Sequence, residues 1–134
     1  MLQIAICDDE QFYRRKIEGL LRTYLDGHGL AGEIHVFESG EEFLEQSENR
    51  VKFDIVFLDI SMEKMDGMQT AARIRSFHSD TYLVFVTAFI DYALEGYKVN
   101  AVRYLMKDTL DLALEECMTA ILQKMEVSQV AFSF

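Results

Sequence analysis

Five short apolar segments recur along the chain. They are 2–7 (LQIAIC), 33–37 (EIHVF), 55–58 (IVFL), 82–86 (YLVFV) and 101–106 (AVRYLM). Segments of this length, rich in β-branched and aromatic residues, are typical of strands. The second alternates between polar and apolar residues, whereas the third and fourth are apolar throughout, as in strands buried on both faces. The pattern therefore predicts five strands, most of them buried.

Between these strands, apolar residues recur at the spacing of one helix face. Five helices are predicted. Three cover residues 11–25, 68–77 and 91–98, and another begins at the S-x-x-E capping box of residues 39–42. The last helix is capped by Thr109 or Asp111 and ends near residue 126. The last helix points five residues inward: Leu114, Cys117, Met118, Ile121 and Met125. Strands that alternate with helices predict the α/β class, with a parallel sheet covered by helices on both faces.

The length and composition suit one cytoplasmic domain. The chain has 134 residues, enough to bury one sizeable core. No apolar run approaches the ~18 residues that span a bilayer, and the N-terminal segment lacks the basic region of a signal peptide. We therefore predict a cytoplasmic protein without a membrane partner, with residues 1–126 as the domain and 127–134 as the start of a linker.

The net charge argues against nucleic-acid binding, and the cysteines argue against a disulfide or a thiolate metal site. The formal net charge is −10, so these residues would repel a phosphate backbone and are not expected to bind nucleic acid themselves. Cys7 and Cys117 both lie in apolar surroundings, which predicts buried, reduced thiols and not a disulfide or a metal site. The acidic residues either provide solubility or hold a cation, and their positions relative to the predicted strands distinguish these two roles.

Polar residues follow four of the five predicted strands, at the edge where open parallel sheets carry their reactive sites. They are Asp8, Asp9 and Glu10 after the first strand, Asp59 after the third, Thr87 after the fourth and Lys107 after the fifth. Taken singly, an aspartate at a strand end is often a turn or cap residue, a threonine is usually structural and a lysine is usually solvated. Their coincidence at successive strand ends favours a common site.

The residue types in this group fit phosphoryl transfer. Two carboxylates about 4 Å apart repel each other by about 4 kcal/mol at an effective dielectric constant near 20, so a cation is needed among them. Oxygen ligands favour Mg²⁺ or Mn²⁺. A carboxylate can then attack phosphorus to form an acyl phosphate, while the Lys107 ammonium and the Thr87 hydroxyl stabilise the transferring group.

Four segments carry a resemblance to a known family: CDDE at 7–10, FLDISMEKMDG at 57–67, VTA at 86–88 and YLMK at 104–107. Over residues 2–126 the chain resembles the receiver domain of two-component response regulators. The resemblance implies a flavodoxin-like, doubly wound (βα)5 fold whose five parallel strands have the order 2-1-3-4-5. It also implies a phosphorylatable signalling switch, which is not an enzyme on other substrates and which receives its phosphoryl group from a sensor histidine kinase.

The same resemblance implies a role for each matched residue. Asp59 would be the phosphoacceptor and, with Asp9, a direct ligand of Mg²⁺, for which Mn²⁺ can substitute. Asp8 would bind the ion through water, and the backbone carbonyl of Ser61 would complete the protein ligands. Gly67 would close the loop that follows Asp59.

Three further residues are implied to contact the phosphoryl group or to report phosphorylation. Thr87 and Lys107 would contact the phosphoryl group, and Tyr104 matches the switch aromatic, whose ring turns inward when Thr87 moves toward the phosphate. The surface formed by the last two strands and helices would then carry the output. Tyr92, Tyr97 and Val99 on it would serve either a homodimer contact or core packing.

Residues 87–108 (TAFIDYALEGYKVNAVRYLMKD) resemble one branch in particular, the LytR/AlgR-type regulators. In that branch a DNA-binding output domain follows the receiver, so DNA would be reached only through a domain absent from this chain. We therefore predict a receiver taken from a longer transcription regulator, with a stand-alone receiver as the alternative.

The chain departs from the family pattern at two positions. Asp108 follows Lys107 at the position where the family usually has a proline, joined through a cis peptide bond. A cis peptide bond before any residue other than proline costs ~2.5–4 kcal/mol. This bond is therefore either strained or trans, and a trans bond would place the Lys107 amine differently. Glu63 also replaces a common proline, which adds an acid near the metal.

A slow loss of the phosphoryl group is also expected. By the same resemblance Ser61 and Phe89 flank the path of the attacking water, and the bulky Phe89 side chain cannot orient a water molecule. We predict that self-dephosphorylation takes minutes or longer.

Three other functions compete with this one. A phosphatase of the haloacid-dehalogenase class needs a second aspartate two residues after the nucleophile, where this chain has Ser61. A flavodoxin-type module needs a phosphate-binding loop after the first strand, where the acidic residues 8–10 would repel the phosphate. A degenerate receiver that signals without phosphorylation is supported only by the Lys107–Asp108 departure, and it should bind Mg²⁺ poorly.

Overall fold

The computed structural model describes residues 1–47, 52–60, 62, 66–78, 80–88 and 103–132. In these residues the strands are β1 (Leu2–Cys7), β2 (Gly32–Phe37), β3 (Ile55–Asp59), β4 (Tyr82–Thr87) and β5 (Arg103–Met106). The helices are α1 (Gln11–Gly27), α2 (Gly40–Ser47), α3 (Gly67–Phe77) and α4 (Leu110–Phe132), and a single 3-10 turn, Lys107–Thr109, precedes α4. The predicted helix over 91–98, with Tyr92 and Tyr97, lies outside the described residues.

The five strands form one parallel sheet in the order β2-β1-β3-β4-β5. This order confirms the doubly wound topology that the family resemblance implied. Cys7 is paired with Leu58, and Thr87 with Met106, so the carboxyl ends of neighbouring strands lie level with one another. Residues that directly follow the strands are therefore gathered at one edge of the sheet.

The sheet separates two apolar clusters, as the alternation of side chains along β1 shows. Ile4 and Ile6 pack with α1 and α4 on one face, while Ala5 and Cys7 pack with α2 and α3 on the other. All four are fully buried, as expected for a strand covered on both faces. The predicted inward residues of the last helix belong to the first cluster, where Met125 is partly buried.

The ends of two helices differ from the prediction. Helix α4 runs on to Phe132, so its predicted end near residue 126 was wrong. Asp111 lies inside α4 and pairs with Lys16 at 3.6 Å, so it is not the helix cap. Helix α3 has an unpredicted capping box, in which Asp66 accepts from the Gln69 amide and its own amide donates to the Gln69 side chain.

Both cysteines are buried and unbridged, as predicted. Burial raises the pKa of the Cys117 thiol to about 11 and raises that of Cys7 well above its ordinary value. Both thiols are therefore protonated at neutral pH and poorly reactive.

Among the helices of the described residues, none combines the length and the apolar composition that crossing a membrane requires.

Candidate functional site

The carboxyl edge of the sheet brings the predicted site residues together. Asp8 follows β1, Asp59 ends β3, Thr87 ends β4 and Lys107 follows β5. All four side chains are buried: the exposed fractions are 1% for Asp8, 2% for Asp59, 1% for Thr87 and 6% for Lys107. Charged residues are almost never buried unless they are paired, so these side chains form a buried polar site at this edge and are not part of the solvated surface.

Lys107 connects the acids of the site. Its Nζ lies 3.1 Å from Oδ2 of Asp59, 3.2 Å from Oδ2 of Asp8 and 3.5 Å from Oε1 of Glu10. The same atom lies 4.1 Å from the centroid of the Tyr13 ring. Burial opposes the charged form of Lys107, but Asp8 and Asp59 outweigh burial and raise its pKa, so the amine is an ammonium at neutral pH.

The acids outnumber this one ammonium. Asp8, Asp9, Glu10 and Asp59 each offer a carboxylate oxygen, and these oxygens lie within 4.8 Å of one another. Burial raises the pKa of Asp8, against the lowering effect of the Glu10 amide and of Lys107. A group of hard oxygen donors with excess negative charge suits Mg²⁺, which keeps several waters and takes only a few carboxylates.

The Lys107–Asp108 peptide bond is trans, since none of the described peptide bonds is cis. Lys107 begins the 3-10 turn that leads into α4, and its amine still reaches Asp59 and Asp8. The departure from proline at position 108 therefore does not remove the lysine from the site.

Gly67 closes the loop after Asp59 because no larger residue fits there. Its amide donates to the Ile60 carbonyl at 2.9 Å. A Cβ atom at Gly67 would lie 2.2 Å from the Asp59 carbonyl oxygen and 2.8 Å from the Ile60 Cα. The predicted role of Gly67 in this loop is thus given a physical basis, while Ser61 and Glu63 lie outside the described residues.

Tyr104 lies one strand away from Thr87. It is paired with Phe85 across β4 and β5, and the two rings stack with centroids 5.3 Å apart. The Tyr104 side chain is half-buried against the α2–α3 side of the sheet. Phe89 and Val99, which border this region in the sequence, lie outside the described residues.

The comparison with protein families excludes two of the three competing functions. Residues 4–124 match the family described as the response regulator receiver domain. This chain belongs to that family. Receiver domains are the switches of two-component response regulators, they act with histidine kinases, and phosphorylation on an aspartate is implied for this one by its family. The phosphatase and flavodoxin alternatives therefore do not hold for this receiver domain.

Relatives place the receiver domain in the predicted branch. It is 35% identical over 117 residues to the "Positive alginate biosynthesis regulatory protein" of Pseudomonas aeruginosa, covering 87% of this chain and 46% of that protein. It is 31% identical over 123 residues to "Sensory transduction protein LytT" of Enterococcus faecalis, covering 92% of this chain and 47% of that protein. The LytR/AlgR-type assignment is confirmed, and the chain spans about half the length of these relatives.

A solved structure agrees with the fold. The receiver domain of AraT, a response regulator from Geobacillus stearothermophilus, superimposes with a TM-score of 0.79 at 27% identity. The match covers 96% of this chain and 98% of that one.

Two neighbours of the site in this receiver domain were not predicted from the sequence. Arg14 donates from Nη1 to the Asp8 carbonyl at 2.8 Å and lies 3.6 Å from Glu38, so it ties the turn after β1 to the turn after β2. Tyr13 places its ring beside Lys107. Both residues lie in the first turns of α1, directly after the acidic residues, but that position in the sequence does not reveal contacts with the turns after β2 and β5.

Proposed function

We propose that Asp59 is the phosphoacceptor of this receiver domain and that a sensor histidine kinase supplies its phosphoryl group. The carrying observation is the position of the Asp59 carboxylate, which is buried at the end of β3, with an ammonium 3.1 Å away and three further acids around it. A carboxylate in an apolar core would have no polar neighbours, whereas the Asp59 carboxylate lies beside an ammonium and within a group of carboxylate oxygens that suits a cation.

The reaction requires few groups from the protein. A carboxylate oxygen of Asp59 attacks the phosphorus, the new O–P bond forms, and the bond to the donor breaks with its electron pair leaving on the donor. The Lys107 ammonium offsets negative charge on the transferring group, and the Thr87 hydroxyl donates a hydrogen bond to it. Beyond its own phosphorylation and dephosphorylation, we assign the domain no reaction.

Mg²⁺ is the proposed cofactor, and Mn²⁺, which favours the same ligands, is a substitute. Asp9 and Asp59 would bind it directly, Asp8 through water, and the Ser61 carbonyl would complete the set. When bound, the ion neutralises charge that develops on the phosphoryl oxygens. The spacing of the carboxylate oxygens of Asp8, Asp9 and Asp59, within 4.8 Å, supports this assignment.

We propose that Thr87 and Tyr104 pass the signal to the surface formed by the last two strands and helices. Thr87 would move toward the phosphoryl group, and the Tyr104 ring would turn inward in response. Phosphorylation would then favour a homodimer through this surface. The relatives are about twice as long as this chain, and one of them is named a regulatory protein. They support a DNA-binding output domain after the receiver, and residues 127–134, which include the end of α4, would be the start of the linker to it. The proposed location is the cytoplasm.

Incubation with acetyl phosphate tests the proposal. With Mg²⁺, we expect the intact mass to rise by one phosphoryl group, and with EDTA we expect no change. Reduction of the acyl phosphate with borohydride, followed by peptide mapping, should locate the label at Asp59. If no phosphoryl group is gained at any Mg²⁺ concentration, the domain is a degenerate receiver that acts through protein contacts alone.

The lifetime of the phosphoryl group gives a second prediction. After rapid removal of acetyl phosphate, we expect the phosphorylated mass to decay over minutes or longer, because Phe89 provides no group that orients the attacking water. Intact mass at successive times measures the decay. A half-life of a few seconds would contradict the assignment of Phe89 to the water path.

A further inference from the structure

The Tyr13 ring is held in place by its own packing. Tyr13 lies in the first turn of α1, where its amide donates to the Glu10 carbonyl at 3.1 Å. The ring is partly buried against the cluster between the sheet, α1 and α4. Phe12 meets it edge to face, with centroids 5.0 Å apart. The ring that lies beside Lys107 is therefore fixed by contacts that do not involve the lysine.

The position of the Lys107 amine depends on its neighbours because the lysine side chain is flexible. A lysine amine ends a flexible stem with about 2 kcal/mol of rotamer entropy. The main chain around it is an ordinary trans 3-10 turn without proline. Its position therefore depends on what the amine touches, namely three carboxylates and the Tyr13 ring.

The carboxylates and the ring differ in one respect that matters for the reaction. Asp8 and Asp59 belong to the acidic cluster that suits a divalent cation, so a bound cation would draw on the same oxygens that the lysine contacts. An aromatic ring is not a ligand for a hard cation. Its attraction for an ammonium, through the negative face of the ring, remains when the oxygens are engaged.

We propose that Tyr13 is a positioning residue, which holds the Lys107 ammonium toward Asp59 through contact with its ring. This role rests on the proposed function, since it acts through Lys107 on phosphoryl transfer to Asp59. It also explains how this chain keeps its lysine in the site without the usual proline after it.

Two substitutions separate the ring from the hydroxyl. Tyr13→Leu removes the ring but keeps an apolar side chain, and Tyr13→Phe keeps the ring. With saturating Mg²⁺ and acetyl phosphate, we expect Tyr13→Leu to slow phosphorylation about fivefold, in keeping with a cation–π contact at a partly buried site. Tyr13→Phe should stay close to the wild-type rate.

A matched control addresses the general loss of aromatic packing. Tyr82 is partly buried against the same apolar cluster, but it begins β4 at the opposite edge of the sheet. Tyr82→Leu should therefore leave the phosphorylation rate unchanged. In a Lys107→Met background, Tyr13→Leu should have no further effect, because the two changes remove one interaction.

A direct measurement does not depend on phosphorylation. The Lys107 Hε resonances should be shifted upfield by the Tyr13 ring in NMR spectra of the wild type and of Tyr13→Phe, and the shift should vanish in Tyr13→Leu. Equal rates for Tyr13→Leu and the wild type, equal losses in Tyr13→Leu and Tyr13→Phe, or an absent upfield shift would overturn the positioning role alone. A wild type that takes up no phosphoryl group would overturn the proposed function and the positioning role with it.

Discussion

Asp59→Asn is expected to abolish phosphoryl uptake from acetyl phosphate while the fold is kept. The amide has nearly the shape of the carboxylate, but it lacks the negative charge that makes a carboxylate oxygen a nucleophile toward phosphorus. The site has other acids nearby, yet Asp9 and Glu10 are exposed, and Asp8 lies after a different strand. We therefore expect no other residue to take over, and intact mass after incubation with Mg²⁺ should show no added phosphoryl group.

The same substitution should have little effect on stability. Lys107 keeps Asp8 at 3.2 Å and Glu10 at 3.5 Å, so its charge stays paired. The asparagine oxygen can still accept from the amine, and one source of repulsion among the acids is removed. We expect the free energy of unfolding to change by less than about 1 kcal/mol, as for substitutions that leave no buried charge unpaired.

Asp54→Asn is the matched control for this experiment. Asp54 precedes β3, at the other end of the strand from Asp59, and accepts from the Gln3 amide at 2.8 Å. An asparagine oxygen can accept the same bond, so this variant should be phosphorylated at the wild-type rate. Phosphorylation of Asp59→Asn at a comparable rate would show that the acceptor is another residue.

Gly67→Ala is expected to destabilise the domain strongly. The added methyl group would lie 2.2 Å from the Asp59 carbonyl oxygen and 2.8 Å from the Ile60 Cα, and both obstacles are backbone atoms at the end of β3. Backbone cannot turn aside as a flexible side chain can. We expect a loss of about 3 kcal/mol, at the upper end of the usual cost of overpacking, together with slower phosphorylation because Asp59 itself must move.

Gly19→Ala provides the opposite case in the same chain. Gly19 lies on the exposed face of α1, where a Cβ would meet nothing within 4 Å. Alanine in a helix interior is preferred to glycine by roughly 0.5–1 kcal/mol, so this variant should be slightly more stable. Urea unfolding midpoints of both variants measure the difference. A Gly67→Ala midpoint equal to that of the wild type would show that the loop after Asp59 can move aside at little cost.

The predicted end of α4 was wrong because apolar spacing alone does not show where a helix stops. The predicted end near residue 126 directly follows Met125, the last of the predicted inward residues. The chain has no proline and no glycine beyond residue 96, so nothing in the following residues ends a helix. The helix accordingly continues to Phe132, whereas α1, predicted to end at residue 25, ends nearby at Gly27.

The sequence by itself determined the strands, their parallel arrangement and the group of acids, threonine and lysine at one edge. Short apolar runs that alternate with helices indicate a parallel sheet covered on both faces, and such a sheet places the carboxyl ends of its strands at one edge. Local pattern therefore carries this information, even for residues as distant in the chain as Asp8 and Lys107.

Only the tertiary structure decided which of these groups touch and what surrounds them. The contact between Lys107 and the Tyr13 ring joins α1 to the turn after β5, and no periodicity relates two such positions. The trans bond at Asp108 and the space at Gly67 likewise depend on how the strand ends approach each other in three dimensions. Distances between elements arise from the packing of the whole core, which is why the residue types predicted a site and the fold supplied its geometry.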